Sequence, residues 1–286
     1  MKPIWSRLAL LLAALIWGSS FVIMKNSTEV FPTFILLGLR FTIGCGALAL
    51  IFLKKLRGLT RKTLLHGGLI GLFLFLAYSV QTIGLVYTTP GKNAFLTAVY
   101  CVLTPFVYWL VSRRMPDKYN WLAAVLCLAG IGFVSLDEAL TMGLGDALTL
   151  LGGLFYALHL VAVSRFSQGD DPVVLTILQF ATAALCAWVF ALFTESFPTQ
   201  AGLSNWAGLL YLGLFATGGA LLLQNIGQKY TPAAPAAILL SLEGVFGVLF
   251  SIIFYHEQVT LQLGIGFALI FLAVIISETK LQFLRR

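Results

Sequence analysis

Residues Gln224–Glu257, QNIGQKYTPAAPAAILLSLEGVFGVLFSIIFYHE, decide how the rest of the chain is read. They hold Glu243, an acidic residue stranded in the middle of a long apolar run. They also repeat Gln81–Arg114, QTIGLVYTTPGKNAFLTAVYCVLTPFVYWLVSRR, at a constant offset of 143 positions. Gln81 falls on Gln224, Ile83 on Ile226, Gly84 on Gly227, Tyr87 on Tyr230 and Thr88 on Thr231. Both copies pass through a break rich in Pro, Ala and Gly and then enter an apolar run. A gapless self-match of this kind reads as a fold built twice. Earlier segments match at an offset of 139: Leu12 on Leu151, Leu15 on Leu154, Trp17 on Tyr156, and Arg40-Phe41 on Gln179-Phe180. The difference between the two offsets is absorbed in the loop Thr194 to Asn205. The two copies occupy residues 1–138 and 139–286.

Composition names the solvent. Of 286 residues, 59% are hydrophobic and only 10% charged, and the mean hydropathy is +0.96. Soluble domains carry about 25% charged residues, so this chain has too little polar surface to face water all round. It is expected in lipid, as a multi-pass protein of the cell (plasma or inner) membrane. The net charge of +7 does not point to nucleic acid, because the cations sit at the ends of apolar runs rather than on a polar domain. Cys45, Cys101, Cys127 and Cys186 all lie inside apolar runs at no metal-ligand spacing and read as buried free thiols.

Runs of roughly 20 apolar residues, the length that crosses about 30 Å of hydrocarbon, number ten. They cover residues 8–24, 33–53, 64–86, 93–112, 120–136, 146–164, 173–193, 206–225, 234–254 and 261–279. No segment alternates as a lipid-exposed barrel strand must. With the N-terminus inside, the inner segments carry 15 of the 18 Lys and Arg residues. The outer loops carry only Lys25 and Lys92, with Arg40 inside a span. This bias places both termini in the cytoplasm. The expected fold is therefore an all-α integral membrane protein of ten transmembrane helices, arranged as two five-helix repeats of inverted topology. That architecture lets a carrier expose one site to either side in turn.

Several motifs resemble the EamA family of the drug/metabolite transporter superfamily. They are LLAALIWGSSFVIMK at 11–25, LRF at Leu39 to Phe41, YTTPGKNAFLTAVYCVLTPF at 87–106, the YTPA…LLSLE run ending at Glu243, and the pair His256-Glu257. One departure is Gly244, where that family often has proline after the SLE triplet. The resemblance implies a secondary-active transporter that moves small polar metabolites such as amino acids or amines by alternating access, often outward. Import of a cationic amine or a quaternary ammonium compound such as choline is the alternative. A non-transporting membrane scaffold is the further one.

A helix rise of about 1.5 Å per residue puts Glu243 about 13 Å deep, near the midplane, where a carboxylate is expensive unless paired, protonated or wet. It reads either as part of a substrate site or as a structural acid bonded to neighbouring helices. Arg40, about 10 Å below the outer face, is a gating or structural charge, or a ligand. His159 shares a helix face with Tyr156, and Tyr78 shares one with Gln81. Trp17, Ser20 and Phe21 share another. Tyr100 occupies the position equivalent to Glu243 in the other repeat. Substrate-binding candidates are thus Glu243, Trp17, Tyr78, Gln81, Tyr100, Tyr156 and His159. The bland reading of the aromatic residues and His159 is helix packing. No catalytic residues, metal site or cofactor are expected, since His66, His159 and His256 lie on three separate elements; proton coupling is the one addition kept. The expected partners are a small-molecule substrate and the lipid bilayer, with the chain acting as a monomer or homodimer.

Overall fold

The computed structural model describes residues 3–136, 140–166, 170–231 and 233–281, with the backbone alone at 3, 225, 226, 228, 229 and 233–238. Those residues are helical almost throughout. In hydrocarbon there is no water to bond a free N–H or C=O, so the backbone must satisfy itself within each segment. The helices are α1 (Pro3–Thr28), α2 (Thr33–Ile51), α3 (Arg61–Val86), α4 (Pro90–Thr97), α5 (Tyr100–Ser112) and α6 (Lys118–Ser135). The second half supplies α7 (Leu144–Phe166), α8 (Pro172–Thr194), α9 (Leu203–Leu210), α10 (Ala220–Tyr230), α11 (Ala233–Phe254) and α12 (Leu261–Thr279). A π-helical stretch, Tyr211–Gly219, joins α9 to α10. Among the described residues, nine helical segments are long and apolar enough to cross a membrane, and the described apolar part of α11 runs Leu239–Phe254.

Two spans expected to be continuous are interrupted. The run 93–112 breaks at Ala98-Val99, where bonds tighten to the i→i+3 pattern (Val99 N to Leu96 O, 3.3 Å; Cys101 N to Ala98 O, 3.1 Å). Pro105 then withholds the N–H that the Cys101 carbonyl would have received. Ser277 Oγ lies 3.5 Å from that carbonyl. The run 206–225 widens into the π stretch, which contains Gly213, Gly218 and Gly219. There Thr217 Oγ1 donates to Leu212 O at 2.8 Å, across the wider turn.

The halves interleave rather than sit side by side. Helix α3 packs on α7 and α8, α1 on α11 and α10, α2 on α8, and α6 on α12. Equivalent positions recur in equivalent roles. Arg113 and His256, 143 residues apart, are both left-handed (φ 60° and 56°). The N-caps of α6 and α12 are Asp117 and Thr260, again 143 apart, and each accepts a backbone N–H three residues on. At the α3–α7 crossing, Gly84 lies so close to Gly145 that a Cβ would meet the Gly145 carbonyl at 2.8 Å. Its counterpart Gly227 meets Ser6, the position equivalent to Gly145, with the Ser6 carbonyl 2.9 Å from a built Cβ. Small residues at these crossings let helix backbones approach closely.

Polar contacts fasten both ends of the bundle. At one end Lys25, in the last turn of α1 and only 8% exposed, donates to the carbonyls of Leu85, Val86 and Thr88 at 2.7, 2.9 and 3.0 Å. A cation is favoured at the C-terminus of α3. Lys25 is therefore a buried strut and not the loop residue that charge counting made it. Asp146 receives Thr88 at 2.5 Å and Lys92 at 3.3 Å. Glu257 receives Gly91 N at 2.9 Å together with the hydroxyls of Thr89 and Ser251. Glu195 receives the N–H groups of Phe34 and Ile35 at the start of α2. At the other end Lys55 pairs with Asp171 and Lys280 with Asp117, both at 2.7 Å, and His66 with Asp170 at 2.8 Å. Pro232 and the side chains of Lys229 and residues 233–235 lie outside the described residues. The four cysteines are free, but only Cys127 is buried; the others are half-buried on helix faces, so the expectation of four buried thiols holds for one.

Candidate functional site

The helices pack in crossed pairs and leave a gap where the two halves meet. That gap is a cavity of about 170 Å³, comparable with the roughly 150 Å³ that admits a benzene-sized guest. Helices α6 and α12 take no part in its wall. All seven substrate-binding candidates, Glu243, Trp17, Tyr78, Gln81, Tyr100, Tyr156 and His159, face it, and so does Arg40.

The wall is paired by the same two offsets as the sequence. Across 139 positions, Trp17 matches Tyr156, Ser20 matches His159, Phe21 matches Leu160 and Arg40 matches Gln179; both members of each pair line the cavity. Across 143 positions the lining pairs are Leu74 with Thr217, Tyr78 with Leu221, Gln81 with Gln224, Thr97 with Leu240 and Tyr100 with Glu243. The positions repeat while the chemistry does not.

Both helix interruptions open onto this space. Tyr100 is the first residue of α5, immediately past the break, and its hydroxyl donates to Glu243 Oε1 at 3.4 Å. At the second interruption the π stretch presents the Ala216 carbonyl to the Trp17 indole N–H at 2.8 Å and the Thr217 hydroxyl to Arg40 Nε at 2.8 Å. Discontinuous helices at mid-depth offer backbone and side-chain polar groups that a regular helix would consume.

A polar network ties the aromatic side chains together. Tyr156 donates to Gln81 Oε1 at 2.8 Å, and Gln81 Nε2 donates to Thr97 Oγ1 at 2.7 Å. Asn93 Nδ2 donates to Thr149 Oγ1 at 2.7 Å, while the buried Asn93 Oδ1 has no partner among the described residues. The ring of Tyr78 lies 5.4 Å from that of Tyr156, which lies 6.0 Å from that of Tyr100. The three form a ladder across the cavity. His159 Nε2 lies 2.8 Å from Gln179 Oε1, so this histidine is both a bonded core residue and a lining residue. The packing and lining readings of His159 thus hold together.

Arg40 is 3% exposed and Glu243 7%. The guanidinium sits 4.7 Å from the centre of the Tyr78 ring, within cation–π range. Met24, Asn93, Thr97, Gln179 and Thr217 also belong to the site and were not among the candidates. Their signal was available: Gln179 aligns with Arg40, and Thr217 sits in the glycine-rich LGLFATGG segment. Among the described residues no cluster of His, Cys, Asp and Glu has the geometry to hold a metal ion.

The sequence matches the model of the EamA-like transporter family twice, over residues 4–136 and 143–279. A protein named "Uncharacterized transporter" from Archaeoglobus fulgidus is 37% identical over 280 residues, which is 98% of this chain and 88% of that one. "Uncharacterized transporter YvbV" from Bacillus subtilis is 26% identical over 96% of this chain and 92% of its own length. A solved crystal structure, described only as that of a protein, superposes with a TM-score of 0.69 at 20% identity. It covers 98% of this chain and 99% of its own, and so shares the fold.

Proposed function

Since the chain belongs to the EamA-like transporter family, and is a multi-pass membrane transporter rather than an enzyme, we propose that it is a secondary-active carrier of small polar metabolites. It works by alternating access, with net movement outward. The observation that carries this reading is the paired wall of the cavity. A site whose lining positions come in equivalent couples from two interleaved repeats is one that the halves can open toward either side by exchanging conformations. The two repeats, 1–138 and 139–286, are inverted in this scheme, with ten crossings and both termini cytoplasmic. The polar network inside a cavity of about 170 Å³ supports a small polar cargo over a lipid.

The test is flux into and out of proteoliposomes containing the purified protein, with amino acids, amines, nucleobases and quaternary ammonium compounds as solutes. At least one should move down its gradient and exchange across the membrane. Ser20→Trp, which fills the cavity, should abolish that movement without unfolding the protein. Failure of every solute to move would leave only the scaffold reading. Orientation is checked separately in a cysteine-free background. A cysteine at the exposed Glu29 should react with an impermeant maleimide outside intact cells, and one at the exposed Lys54 should not.

A further inference from the structure

Helix α7 packs against both α3 and α5. At the end of the bundle where Lys55 meets Asp171, these three helices wall a second cavity of about 420 Å³, more than twice the volume of the central one. Two cations stand in its wall, Lys62 in the first turn of α3 and Arg165 in the last turn of α7. Among the described residues neither makes an ion pair, and no acid lines the cavity. Ser112 and Ser164 add two hydroxyls to the same wall. Ser112 Oγ accepts the Arg114 N–H at 3.3 Å, which leaves its own proton to donate.

The acid of this corner, Asp170, is already engaged. Its carboxylate receives the Thr63 hydroxyl at 2.6 Å and lies 2.8 Å from His66 Nδ1. Those bonds hold its carboxyl below the usual carboxylate range. Lys62 feels that charge without making an ion pair with it. Held at Nδ1 and set 4.7 Å from the Phe166 ring, His66 leaves Nε2 as its open position. One side of the cavity is apolar. Tyr108 and Val111 in its wall are exposed, and the exposed Leu69 and Leu110 continue the same helix surfaces.

The repeat shows that this charge is not inherited. The position 143 residues on from Lys62 is Asn205, and the position 139 residues back from Arg165 is Asn26. Both are neutral, so the equivalent place at the other end lacks the two cations. An excess of Lys and Arg on the cytoplasmic side is general, and Lys54, Arg57 and Arg61 are exposed there too. None of those three lines the cavity. Lys62 and Arg165 do, beside hydroxyl donors and next to a lipid-facing surface.

We propose that this cavity binds the phosphate head group of an anionic phospholipid of the cytoplasmic leaflet. Arg165 and Lys62 hold the phosphate oxygens, Ser112 and Ser164 donate to them, and the acyl chains run along Tyr108, Val111 and Leu69. A guanidinium fork matches two phosphate oxygens at once. Basic pockets between membrane helices on the cytoplasmic side suit such head groups. A soluble phosphate has the same head chemistry but nothing to lay against the apolar side, which is why a lipid is the better fit.

The experiment uses the purified, delipidated full-length protein in a neutral detergent. Native mass spectrometry titrates it with dioleoyl phosphatidylglycerol, cardiolipin and dioleoyl phosphatidylcholine, and thermal unfolding is followed in parallel. A ligand of the folded state raises the unfolding temperature with the logarithm of its concentration. At least one of the two anionic lipids should bind at least tenfold more tightly than phosphatidylcholine, with one molecule retained per chain. Lys62→Gln combined with Arg165→Gln should remove that preference. Lys54→Gln combined with Arg57→Gln takes away the same charge outside the cavity and should leave the affinity within twofold. If the first pair does not fold, Ser164→Trp, which fills the cavity, should displace the retained lipid instead. The lipid series on the parent protein needs no variant. Equal binding of phosphatidylcholine and of both anionic lipids overturns the proposal. So does an equal loss in the two double variants, which would mean attraction by the general charge of this end. Inorganic phosphate or glycerol 3-phosphate that displaces the lipid at equal concentration would overturn the lipid assignment in favour of a soluble phosphate.

Discussion

The two walls of the cavity are built from equivalent positions and differ in what those positions carry. The first half contributes Arg40 where the second has Gln179, and the second contributes Glu243 where the first has Tyr100. The same contrast recurs at the end of the bundle. Arg113 and His256 both turn the chain left-handed, and the next residues are Arg114 and Glu257. Glu257 reaches the N-terminus of α4, where its carboxylate receives Gly91 N and the Thr89 hydroxyl. A carboxylate is suited to that place because a helix N-terminus carries partial positive charge. Arg114 has the wrong sign to do the same for α11. Duplication therefore preserved backbone geometry, and sequence divergence placed unlike charges on it.

The strongest test of the cavity comparison is an exchange of chemistry between paired positions. Glu243→Tyr removes a charged hydrogen-bonding partner, a loss of about 1.5–3 kcal/mol, and should reduce transport tenfold to hundredfold. Adding Tyr100→Glu returns a carboxylate from the equivalent position, and flux in proteoliposomes should recover in part. If the double variant is no better than the single one, the two positions are not functionally interchangeable.

A second test concerns the end of the bundle. Glu257→Ala removes the carboxylate that receives Gly91 N at the start of α4 and should raise the rate at which a cysteine at Thr97 reacts with an impermeant maleimide, by about tenfold. Arg114→Ala should leave that rate unchanged. Equal effects would mean that Glu257 holds nothing that its counterpart does not.

Packing gives a third. Ala at Gly84 must push apart backbone, since its Cβ would meet Gly145 O and Thr149 N at 2.8 and 3.0 Å. Ala at Gly227 meets the Leu10 side chain at 2.5 Å, which can move, and Ser6 O at 2.9 Å. Both should destabilise, within the range of about 1–3 kcal/mol for overpacking. Gly84→Ala should be the worse of the two in thermal unfolding.

The smallest effect separates the paired N-caps. Burial raises the Asp117 carboxyl, but bonds from Lys280 and from the N–H groups of Asn120 and Tyr119 outweigh it and hold it below the usual carboxylate range. A folded-state value below the unfolded one means that stability is fully present above about pH 4 and lost as pH falls through the lower folded value. Asp117→Asn should therefore lower the unfolding temperature slightly at pH 6 and hardly at all at the acid end. Thr260→Ala removes the equivalent cap without a titrating group, and its small deficit should not change with pH. A deficit at Asp117 that persisted in acid would show that its charge is irrelevant.

How much of this was legible in the sequence depends on the range of the interaction. Lipid as the solvent, helices as the only workable backbone and the doubling of the chain all follow from local composition and self-similarity. That Trp17, Tyr78, Gln81, Tyr100, Tyr156 and Glu243 would line one cavity was also legible, because helical spacing and the repeat put them at one depth. What helical periodicity could not show were the break before Tyr100 and the π stretch at 211–219. A proline or a glycine permits an irregular turn, but only the neighbouring helix decides whether one forms. Lys25 makes the same point: a charge count assigns it to water, whereas the C-terminus of α3, sixty residues away in sequence, holds it buried. Only the tertiary structure decided that Arg40 and Glu243 share a cavity without touching, because their separation is set by the crossing of helices from different halves.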